Sequence, residues 1–335
     1  ERITALRRRI ETGRFLSGDG SYDAVKVQQD YIRAICEDVA VERSPRIVVD
    51  CGNGAASVVA EELFKSLGCK VIPLFCELDG RFPNHAPDPA APVNLRQLIA
   101  EVAARKADLG IAFDGDGDRI GIVSGSGRIL SADRLMMLLS KDILERSPGC
   151  DIVFDVKCTR DLAMLISVNG GRPVMCRSGH SWIKQKMKET GALLGGEFTG
   201  HICFRDRWFG FDDALYCAAR LLEILGARKL SLDELAAGLP RAIATPEIVI
   251  PVPESDKFEL MARIERHFLP EGARLIRIDG VRAEFRDGWG LVRASNTSAS
   301  LACRFEAVDE SALARIQERF REDLVILLPE CEIPF

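Results

Sequence analysis

Residues 46–54 read Arg-Ile-Val-Val-Asp-Cys-Gly-Asn-Gly, and here the chain changes from a helical pattern to an alternation of strands and helices. Three consecutive β-branched residues predict a buried strand, and the glycines after them predict the turn that ends it. A predicted helix about 58–67 and a strand at 70–75 follow. After another helix at 95–102, the apolar strand 109–113 runs into a series of aspartates. This order predicts a βαβ array and a mostly parallel sheet.

The alternation restarts after a hairpin predicted at residues 120–130, so we expect a second α/β unit that resembles the first in plan. Its predicted elements are strands at 151–156 and 173–177, helices about 160–168 and 181–190, a glycine-rich loop at 195–200 and a long helix at 212–225. Beyond a linker bracketed by Pro240 and Pro246, the order changes. Predicted there are a strand at 247–252, a helix at 256–268, several strands between 274 and 305 and a final helix at 309–323.

The predicted fold class is therefore α/β, with two related α/β domains (βαβ, mixed sheet) followed by a smaller α+β C-terminal domain. We expect these domains to span residues 26–128, 129–240 and 241–335. Residues 1–45 have a helical pattern that a polar, glycine-rich stretch at 17–22 interrupts. The residues spaced for one apolar face are Ile3, Leu6, Ile10, Val25, Tyr31, Ile32 and Ile35.

Composition narrows the function classes. A chain of 335 residues with 47% hydrophobic residues has ample material for two or three cores, and a net charge of −5 gives no basic field for nucleic acid. No apolar run reaches the roughly 18 residues of a membrane span, and the charged N-terminus does not resemble a secretory signal. Eleven cysteines are scattered without a CxxC pair, which favours reduced thiols and a cytoplasmic location.

An acidic loop, Asp114-Gly-Asp-Gly-Asp118, directly follows the apolar strand 109–113. Three carboxylates at alternate positions, separated by glycines, are expected to converge on one divalent cation, and Mg²⁺ is the usual ion where phosphate is also a ligand. An EF-hand calcium loop starting at Asp114 would need Gly at position 119 and Glu at 125, but the sequence has Arg119 and Gly125. A solvated acidic turn is the remaining alternative.

Three further loops carry polar side chains where strands end. Ser178-Gly179-His180-Ser181 opens a helix, and the cations Lys157, Arg160, Arg177 and Lys184 are predicted to lie near it. Such a loop suits a phosphate, and the histidine suits proton transfer. Gly195–His201 contains Glu197 and Thr199, which suit vicinal sugar hydroxyls. Arg293–Ser298 suits a phosphate cradle. A structural histidine and ordinary polar turns are the alternatives.

Residues 52–57 resemble the glycine fingerprint of dinucleotide-binding folds, and acidic residues follow at 77 and 79. The third glycine of that fingerprint is replaced by Ser57, and a nicotinamide enzyme would leave the other four loops without a role. We therefore do not expect a nicotinamide cofactor.

Taken in order, these motifs resemble the α-D-phosphohexomutase family, and in particular its bacterial phosphomannomutase/phosphoglucomutase branch. The resemblance covers nearly the whole chain, and its carriers are the segments at 50–54, 77–85, 112–119, 154–160, 196–201 and 290–297. It implies interconversion of hexose 1-phosphates and 6-phosphates, of mannose and glucose, through a bisphosphorylated sugar. The implied cofactors are Mg²⁺ and glucose 1,6-bisphosphate or mannose 1,6-bisphosphate.

The resemblance also implies residue roles. Asp114, Asp116 and Asp118 would hold the metal, Arg119 would lie beside the reacting phosphoryl group, and Lys157 and His180 would face the reacting sugar. The substrate-binding residues would be Arg177, Ser178, Gly179, Glu197, Thr199, His201, Arg293, Ser295, Asn296 and Thr297. Thr199 stands where the usual motif has serine, and Arg177-Ser178 stand where Lys-Thr is common. Both changes keep the charge or hydroxyl of the usual residue.

One family feature does not occur in residues 1–335. The family's first domain carries a Thr-x-Ser-His-Asn loop with the phosphorylated serine, and residues 1–25 would correspond only to a remnant, the last helix of that domain. Three explanations stay open: a fragment or cleaved product of a longer enzyme, a serine domain on a separate polypeptide, or a catalytically inactive phosphosugar-binding module. We expect the chain alone to be inactive or very weak without the serine domain.

Overall fold

The computed structural model describes residues 2–268, 270–296 and 298–335. Its first sheet has the strand order β2-β1-β3-β4-β5, in which β1, β2 and β3 are parallel and β4 and β5 are antiparallel to their neighbours. The strands are β1 (Arg46–Asp50), β2 (Lys70–Leu74), β3 (Leu109–Phe113), β4 (Ile120–Ser124) and β5 (Ile129–Leu130). Every residue of β3 is buried, as a strand covered on both faces requires.

The helices of this first part are α1 (Arg2–Glu11), α2 (Gln28–Asp38), α3 (Ala60–Ser66) and α4 (Arg96–Arg105). Short 3-10 turns at Ala55–Val58 and Pro92–Leu95 lead into α3 and α4. Within β1, Ile47 and Val49 face the core shared with α2 and α3, while Val48 faces the α4 side. The alternation of side chains along the strand thus covers both faces of the sheet.

The second sheet repeats the plan of the first. Its order is β7-β6-β8-β9, with β6, β7 and β8 parallel and β9 antiparallel to β8. Its strands are β6 (Asp151–Asp155), β7 (Arg172–Cys176), β8 (Leu194–Gly196) and β9 (Ile202–Phe204). The helices around it are α5 (Ala132–Arg146), α6 (Arg160–Val168), α7 (His180–Thr190), α8 (Ala214–Arg228) and α9 (Leu232–Ala237). One continuous apolar core joins the first and second sheets.

The C-terminal part contains an antiparallel sheet in the order β10-β15-β14-β13-β12, with β11 also paired to β15. Its strands are β10 (Ile243–Ala244), β11 (Ile248–Pro251), β12 (Arg274–Ile276), β13 (Val281–Phe285), β14 (Gly288–Ala294) and β15 (Ser300–Ala307). Helices α10 (Lys257–His267) and α11 (Glu310–Leu327) cover it and enclose a separate core around Phe268, Phe305 and Phe320. The predicted fold class, two related α/β units and a smaller α+β unit, is confirmed.

Three local expectations need correction. Helix α5 was not predicted, although its side chains from Leu135 to Leu139 are buried in the core. The N-terminal residues do not form one apolar face, because Val25 precedes α2 and is exposed, and no side chain of α1 is buried. The predicted glycine-rich loop begins as strand β8, so the loop itself covers only residues 197–201. None of the helices in the described ranges combines the length and apolarity of a membrane span.

Candidate active site

The acidic loop lies between β3 and β4, at the carboxyl edge of the first sheet. Asp114 is buried, and its Oδ1 accepts hydrogen bonds from the backbone N–H groups of Gly117, Asp118 and Arg119, each at 3.0 Å. These bonds wrap the loop around the first carboxylate. As a result, one oxygen from each of Asp114, Asp116 and Asp118 lies within 4.8 Å of the others.

This donor set fits a hard divalent cation. Oxygen ligands from three carboxylates at such mutual distances are the chemistry that Mg²⁺ prefers. Burial and the neighbouring Asp118 carboxylate raise the pKa of Asp114, since both disfavour its charged form. Arg119 offsets part of that cost, because its Nε lies 2.7 Å from Asp114 Oδ2 and its Nη1 lies 2.9 Å from Asp88 Oδ1.

A second loop, residues 197–201, packs directly against the acidic loop. The N–H of Ile120 donates to the carbonyl of Gly200 at 3.2 Å, and Arg119 and His201 form an isolated antiparallel bridge. The His201 ring then links the two loops through its nitrogens, with Nε2 3.4 Å from Asp118 and Nδ1 2.8 Å from Glu197. Burial alone would lower the pKa of His201, but these two carboxylates outweigh it and raise the pKa to about 9.

His180 is the first residue of α7 and faces the same loops. Its ring stacks on that of His201 with centroids 5.1 Å apart, and its Nδ1 lies 2.6 Å from Asp212 Oδ2. The other Asp212 oxygen accepts from Lys184 Nζ at 2.8 Å. Although burial raises the pKa of Asp212, the bonds from Lys184 and His180 lower it overall. His180 is thus held by a carboxylate while it stays half exposed to the cleft.

The loop before α7 connects the second sheet to the C-terminal part. Asp279 Oδ2 accepts from the Ser178 N–H at 3.1 Å and from Arg293 Nε at 2.8 Å, and Asn296 Nδ2 donates to the Ser178 carbonyl at 3.2 Å. Gly179 has a φ of +128°, a backbone conformation that favours glycine, and its N–H donates to Glu197 Oε1. Arg293 is 4% exposed, and its Nη2 has no hydrogen-bond partner among the described residues.

Lys157 lies in the wall of the cleft and is 5% exposed. Of the three described residues that are predicted to be catalytic, Arg119, Lys157 and His180, it is the only one that is buried. Its Nζ lies 3.3 Å from Glu247 Oε2, on the segment between β10 and β11, and 6.0 Å from the centre of the Phe198 ring. Both partners follow Lys157 in the sequence, Phe198 in the second part of the molecule and Glu247 in the segment that leads to the third. The lysine is therefore fixed at the junction of the second and third parts of the molecule.

One cleft of about 780 Å³ collects these groups, a size within the roughly 300–1,000 Å³ of small-molecule sites. The predicted residues that line it are Asp114, Asp116, Asp118, Arg119, Lys157, Ser178, Gly179, His180, Glu197, Thr199, His201, Arg293, Ser295 and Asn296. Arg177 is not among the lining residues, because its guanidinium stacks on Trp182 at 4.6 Å. Arg160, predicted to lie near this loop, donates instead to the carbonyls of Phe285 and Arg286 and is not among the lining residues. Thr297 lies outside the described residues.

Sequence reasoning missed several groups at the cleft. Asp88, Trp182 and Glu247 line it, and Asp212 and Asp279 hold lining residues in place. Asp88 lies between Pro87 and Pro89, and Glu247 directly follows Pro246. In the sequence, the only indication of these two residues was a charged side chain next to a proline.

The chain matches three family models of phosphoglucomutase/phosphomannomutase: alpha/beta/alpha domain II over residues 29–127, alpha/beta/alpha domain III over 131–243 and the C-terminal domain over 247–323. It is 52% identical over 335 residues to a phosphomannomutase/phosphoglucomutase of Pseudomonas aeruginosa. The match covers the whole chain and 72% of that relative. Fold and relatives together define the class as the phosphotransferase mutases. The chain belongs to the phosphoglucomutase/phosphomannomutase family.

Solved structures agree with this assignment. A phosphoglucomutase/phosphomannomutase family protein from Burkholderia thailandensis matches with a TM-score of 0.94 and 46% identity, covering all of this chain and 72% of that one. An Aspergillus fumigatus N-acetylphosphoglucosamine mutase, solved in complex with GlcNAc-6P and magnesium, matches with a TM-score of 0.62. At 15% identity over 89% of this chain and 68% of that one, it shows a shared fold.

Proposed function

We propose that this chain carries the metal, sugar and phosphate sites of a phosphohexomutase that interconverts hexose 1-phosphate and 6-phosphate, of glucose and of mannose, through a bisphosphorylated sugar. The main support for the proposal is that three kinds of binding group line the same cleft. Carboxylates for a divalent cation, the Glu197–His201 loop and the buried guanidinium of Arg293 face the same space. Phosphoryl transfer depends on this kind of positioning and charge stabilisation.

Asp114, Asp116 and Asp118 would hold Mg²⁺, and the bound ion would neutralise charge on the transferring phosphoryl group. Arg119 adds a fixed positive charge at the same place, held by Asp88 and Asp114. Its guanidinium is planar and always charged, so it suits two phosphoryl oxygens at once. The repulsion among the three aspartates supports the proposal, because a cation would relieve it.

The remaining loops would orient the sugar. Glu197 and Thr199 present a carboxylate and a hydroxyl suited to sugar hydroxyls, and His201 keeps Glu197 ionised through their hydrogen bond. His180 and Lys157 stand at the cleft with carboxylate partners, so each has a route for moving a proton at the sugar oxygen. Arg293, Ser295, Asn296 and Thr297, with Ser178 and Gly179, would bind the phosphate that is not transferred.

The reaction also needs a phosphoryl carrier. We assign this role to a serine on the family's first domain, because the chain matches the models of domains II, III and IV and spans 72% of the Pseudomonas relative. That domain would act as part of a longer polypeptide or as a separate or cleaved partner. Glucose 1,6-bisphosphate or mannose 1,6-bisphosphate would then be both intermediate and activator. Eleven free thiols support a cytoplasmic site for this chemistry.

Phosphorus NMR tests the proposal directly. The 335-residue chain is mixed with glucose 1-phosphate or mannose 1-phosphate, Mg²⁺ and a catalytic amount of the bisphosphate, with and without the first domain of the Pseudomonas relative. We expect 6-phosphate signals only when the first domain is present. Conversion without it would mean that a residue of this chain accepts phosphate.

Binding of the phosphosugars without conversion in either mixture would favour the alternative, an inactive phosphosugar-binding module. Mg²⁺ titration calorimetry on the same sample separates that outcome from a misfolded preparation. Asp116→Asn is the matched variant for this test, because Asp116 is an exposed member of the acidic loop. Asp19→Asn, at an exposed position far along the chain from the loop, is its control.

A further inference from the structure

Two thiols meet where β1 and β2 end. Cys51 directly follows β1, Cys76 follows β2 by two residues, and their Sγ atoms lie 3.4 Å apart. The Cys76 Sγ also donates to the carbonyl oxygens of Val49 and Leu74 at 3.4 Å each, which holds that sulfur between the ends of β1 and β2. This contact between cysteines has no part in the proposed phosphoryl chemistry.

The backbones around the two thiols are hydrogen-bonded to each other, which fixes where the two sulfurs lie. Cys51 N–H donates to the Leu74 carbonyl at 3.1 Å, and Asn53 N–H donates to the Phe75 carbonyl at 2.8 Å. The register pairs Asp50 with Leu74, so Cys76 lies one residue beyond the position opposite Cys51, and the contact that bears on a disulfide is the one between the sulfurs. To form the bond, the sulfurs need to approach by only about 1.4 Å.

The two sulfurs differ in access. Cys76 keeps part of its surface in contact with solvent, whereas Cys51 is fully buried. The contact with Cys76 and burial raise the pKa of Cys51, so Cys51 stays a thiol, and Cys76 is the sulfur that an oxidant in solution can reach. An accessible cysteine beside a buried one is the arrangement of an attacking and a resolving cysteine.

From this geometry we infer that Cys51 and Cys76 form a reversible, hydroperoxide-sensitive disulfide site. The Cys76 sulfur attacks one peroxide oxygen, the O–O bond breaks, and Cys76 sulfenic acid and water form. The Cys51 sulfur then attacks the Cys76 sulfur, which forms the S–S bond and releases a second water. Two thiols and one hydrogen peroxide thus give one disulfide and two waters, and a dithiol reductant reverses the change.

The disulfide would act on the acidic loop through the turn 51–54. Ala55 N–H donates to the Gly115 carbonyl at 2.9 Å, and a Cβ at Gly54 would lie only 2.7 Å from that same oxygen. Drawing Cys51 toward Cys76 shifts this tightly packed turn and therefore Gly115, between Asp114 and Asp116. We expect Mg²⁺ affinity to fall by about tenfold in the oxidised chain, a loss of about 1.4 kcal/mol. This second effect rests on the proposed function, whereas the disulfide itself does not.

Peptide mapping of the full chain tests the disulfide independently of activity. After treatment with hydrogen peroxide and alkylation of free thiols, trypsin releases residues 47–65 and 71–81, which contain one cysteine each, Cys51 and Cys76. We expect these peptides to appear linked, 2 Da below the sum of the reduced pair, and to separate after dithiothreitol. Unlinked peptides, or Cys76 oxidised to a sulfinic acid while Cys51 stays alkylated, would overturn the site.

Single variants show whether the linkage is specific. Cys51→Ser and Cys76→Ser should each abolish the linked peptide, while Cys331→Ser, which changes another half-buried thiol, should leave its yield unchanged. Mg²⁺ titration of the oxidised and reduced wild-type chain then tests the effect on the loop. A linked peptide with unchanged affinity would keep the disulfide site and overturn its coupling to the acidic loop. No Mg²⁺ binding by the reduced chain would contradict the proposed function instead.

Discussion

The first and second sheets place different chemistry at the same topological position. In each, three parallel strands precede one antiparallel strand, and a short loop joins the last parallel strand to it. In the first sheet this loop is the acidic loop 114–118, and in the second it is the loop 197–201. The acidic loop gathers carboxylates, whereas the second loop combines a carboxylate, a hydroxyl and an imidazole.

The two loops differ in which groups donate hydrogen bonds to their carboxylates. Asp114 Oδ1 accepts three backbone N–H groups of its own loop, which turns the other aspartates toward one point. Glu197 instead accepts from Gly179 and pairs with His201, so its loop faces α7 and the C-terminal part. Because His201 also contacts Asp118, the two loops form one continuous polar surface. Under the proposed function, a repeated fold thereby provides a cation site beside a site for sugar hydroxyls.

The largest effect should come from breaking the acidic loop at Asp116. Asp116→Asn removes one of the three charges that would bind the proposed cation, and even outer-sphere changes weaken metal sites by about 10- to 100-fold. We therefore expect Mg²⁺ affinity, measured by titration calorimetry, to fall by at least about 100-fold. Phosphosugar affinity measured without metal should change little. An equal loss of Mg²⁺ affinity and phosphosugar affinity would mean that the acidic loop and the loop 197–201 do not bind separate ligands.

His201, the link between the loops, should make stability depend on pH. Its pKa is raised to about 9 in the folded chain, against about 6.5 when unfolded. Its stabilising contribution is fully present below about pH 6.5 and disappears as pH rises through about 9, a loss of up to about 3 kcal/mol. Urea unfolding in EDTA at both ends of that range measures it.

Two histidine variants isolate this contribution. His201→Gln should flatten the pH dependence between about 6.5 and 9, while His267→Gln, at an exposed position in α10, should keep it. If the free energy of unfolding depends on pH equally in the wild type and in His201→Gln, the imidazole does not join the two loops.

Glu197→Gln should weaken sugar binding while leaving the acidic loop intact. A hydrogen bond to a charged group contributes about 1.5–3 kcal/mol, so affinity for glucose 1-phosphate should fall by about 10- to 100-fold. Mg²⁺ affinity should stay within about threefold of wild type, because Glu197 is not one of the converging aspartates. Glu11→Gln, in the exposed helix α1, is the control. A large loss of Mg²⁺ binding would contradict the division of roles.

Gly54→Ala should disturb only the acidic loop. The backbone there, with a φ of −84°, accepts alanine, but the added Cβ would press on the carbonyl oxygens of Gly115 and Asp114. Overpacking costs about 1–3 kcal/mol, so Mg²⁺ affinity should fall by roughly tenfold. Gly80→Ala adds a Cβ with nothing within 4 Å and should leave the titration unchanged.

The smallest effect is expected at Thr199. Thr199→Ser keeps the hydroxyl and should change glucose 1-phosphate affinity by less than about threefold, whereas Thr199→Val removes it and should cost about tenfold or less. Wild-type affinity in Thr199→Val would show that the hydroxyl does not contribute to sugar binding.

Prediction from sequence succeeded where apolar runs and turn residues set the local structure. Strands β1 and β3 are short apolar runs that end before glycines. The local sequence pattern therefore predicted where these strands and the loops after them lie. The missed residues depend on packing between distant segments. Glu247 reaches Lys157 from the linker, and Asp279 joins Ser178 to Arg293. Helix α5 has an acidic residue in its first turn, a basic one in its last turn and apolar residues at helical spacing, so its sequence did contain helix signals. Arg160 is directed by a contact between distant segments, because it donates a hydrogen bond to the Phe285 carbonyl.

Paramagnetic relaxation most directly tests the claim that the two loops hold cation and phosphosugar in one cleft. Mn²⁺ replaces Mg²⁺ on the full chain, and the phosphorus signal of glucose 1-phosphate is followed as Mn²⁺ is added. We predict strong broadening with the wild type, reduced to the protein-free level with Asp116→Asn and unchanged with Asp19→Asn. Equal broadening in Asp116→Asn, or none in the wild type despite binding of both ligands, would contradict a shared site.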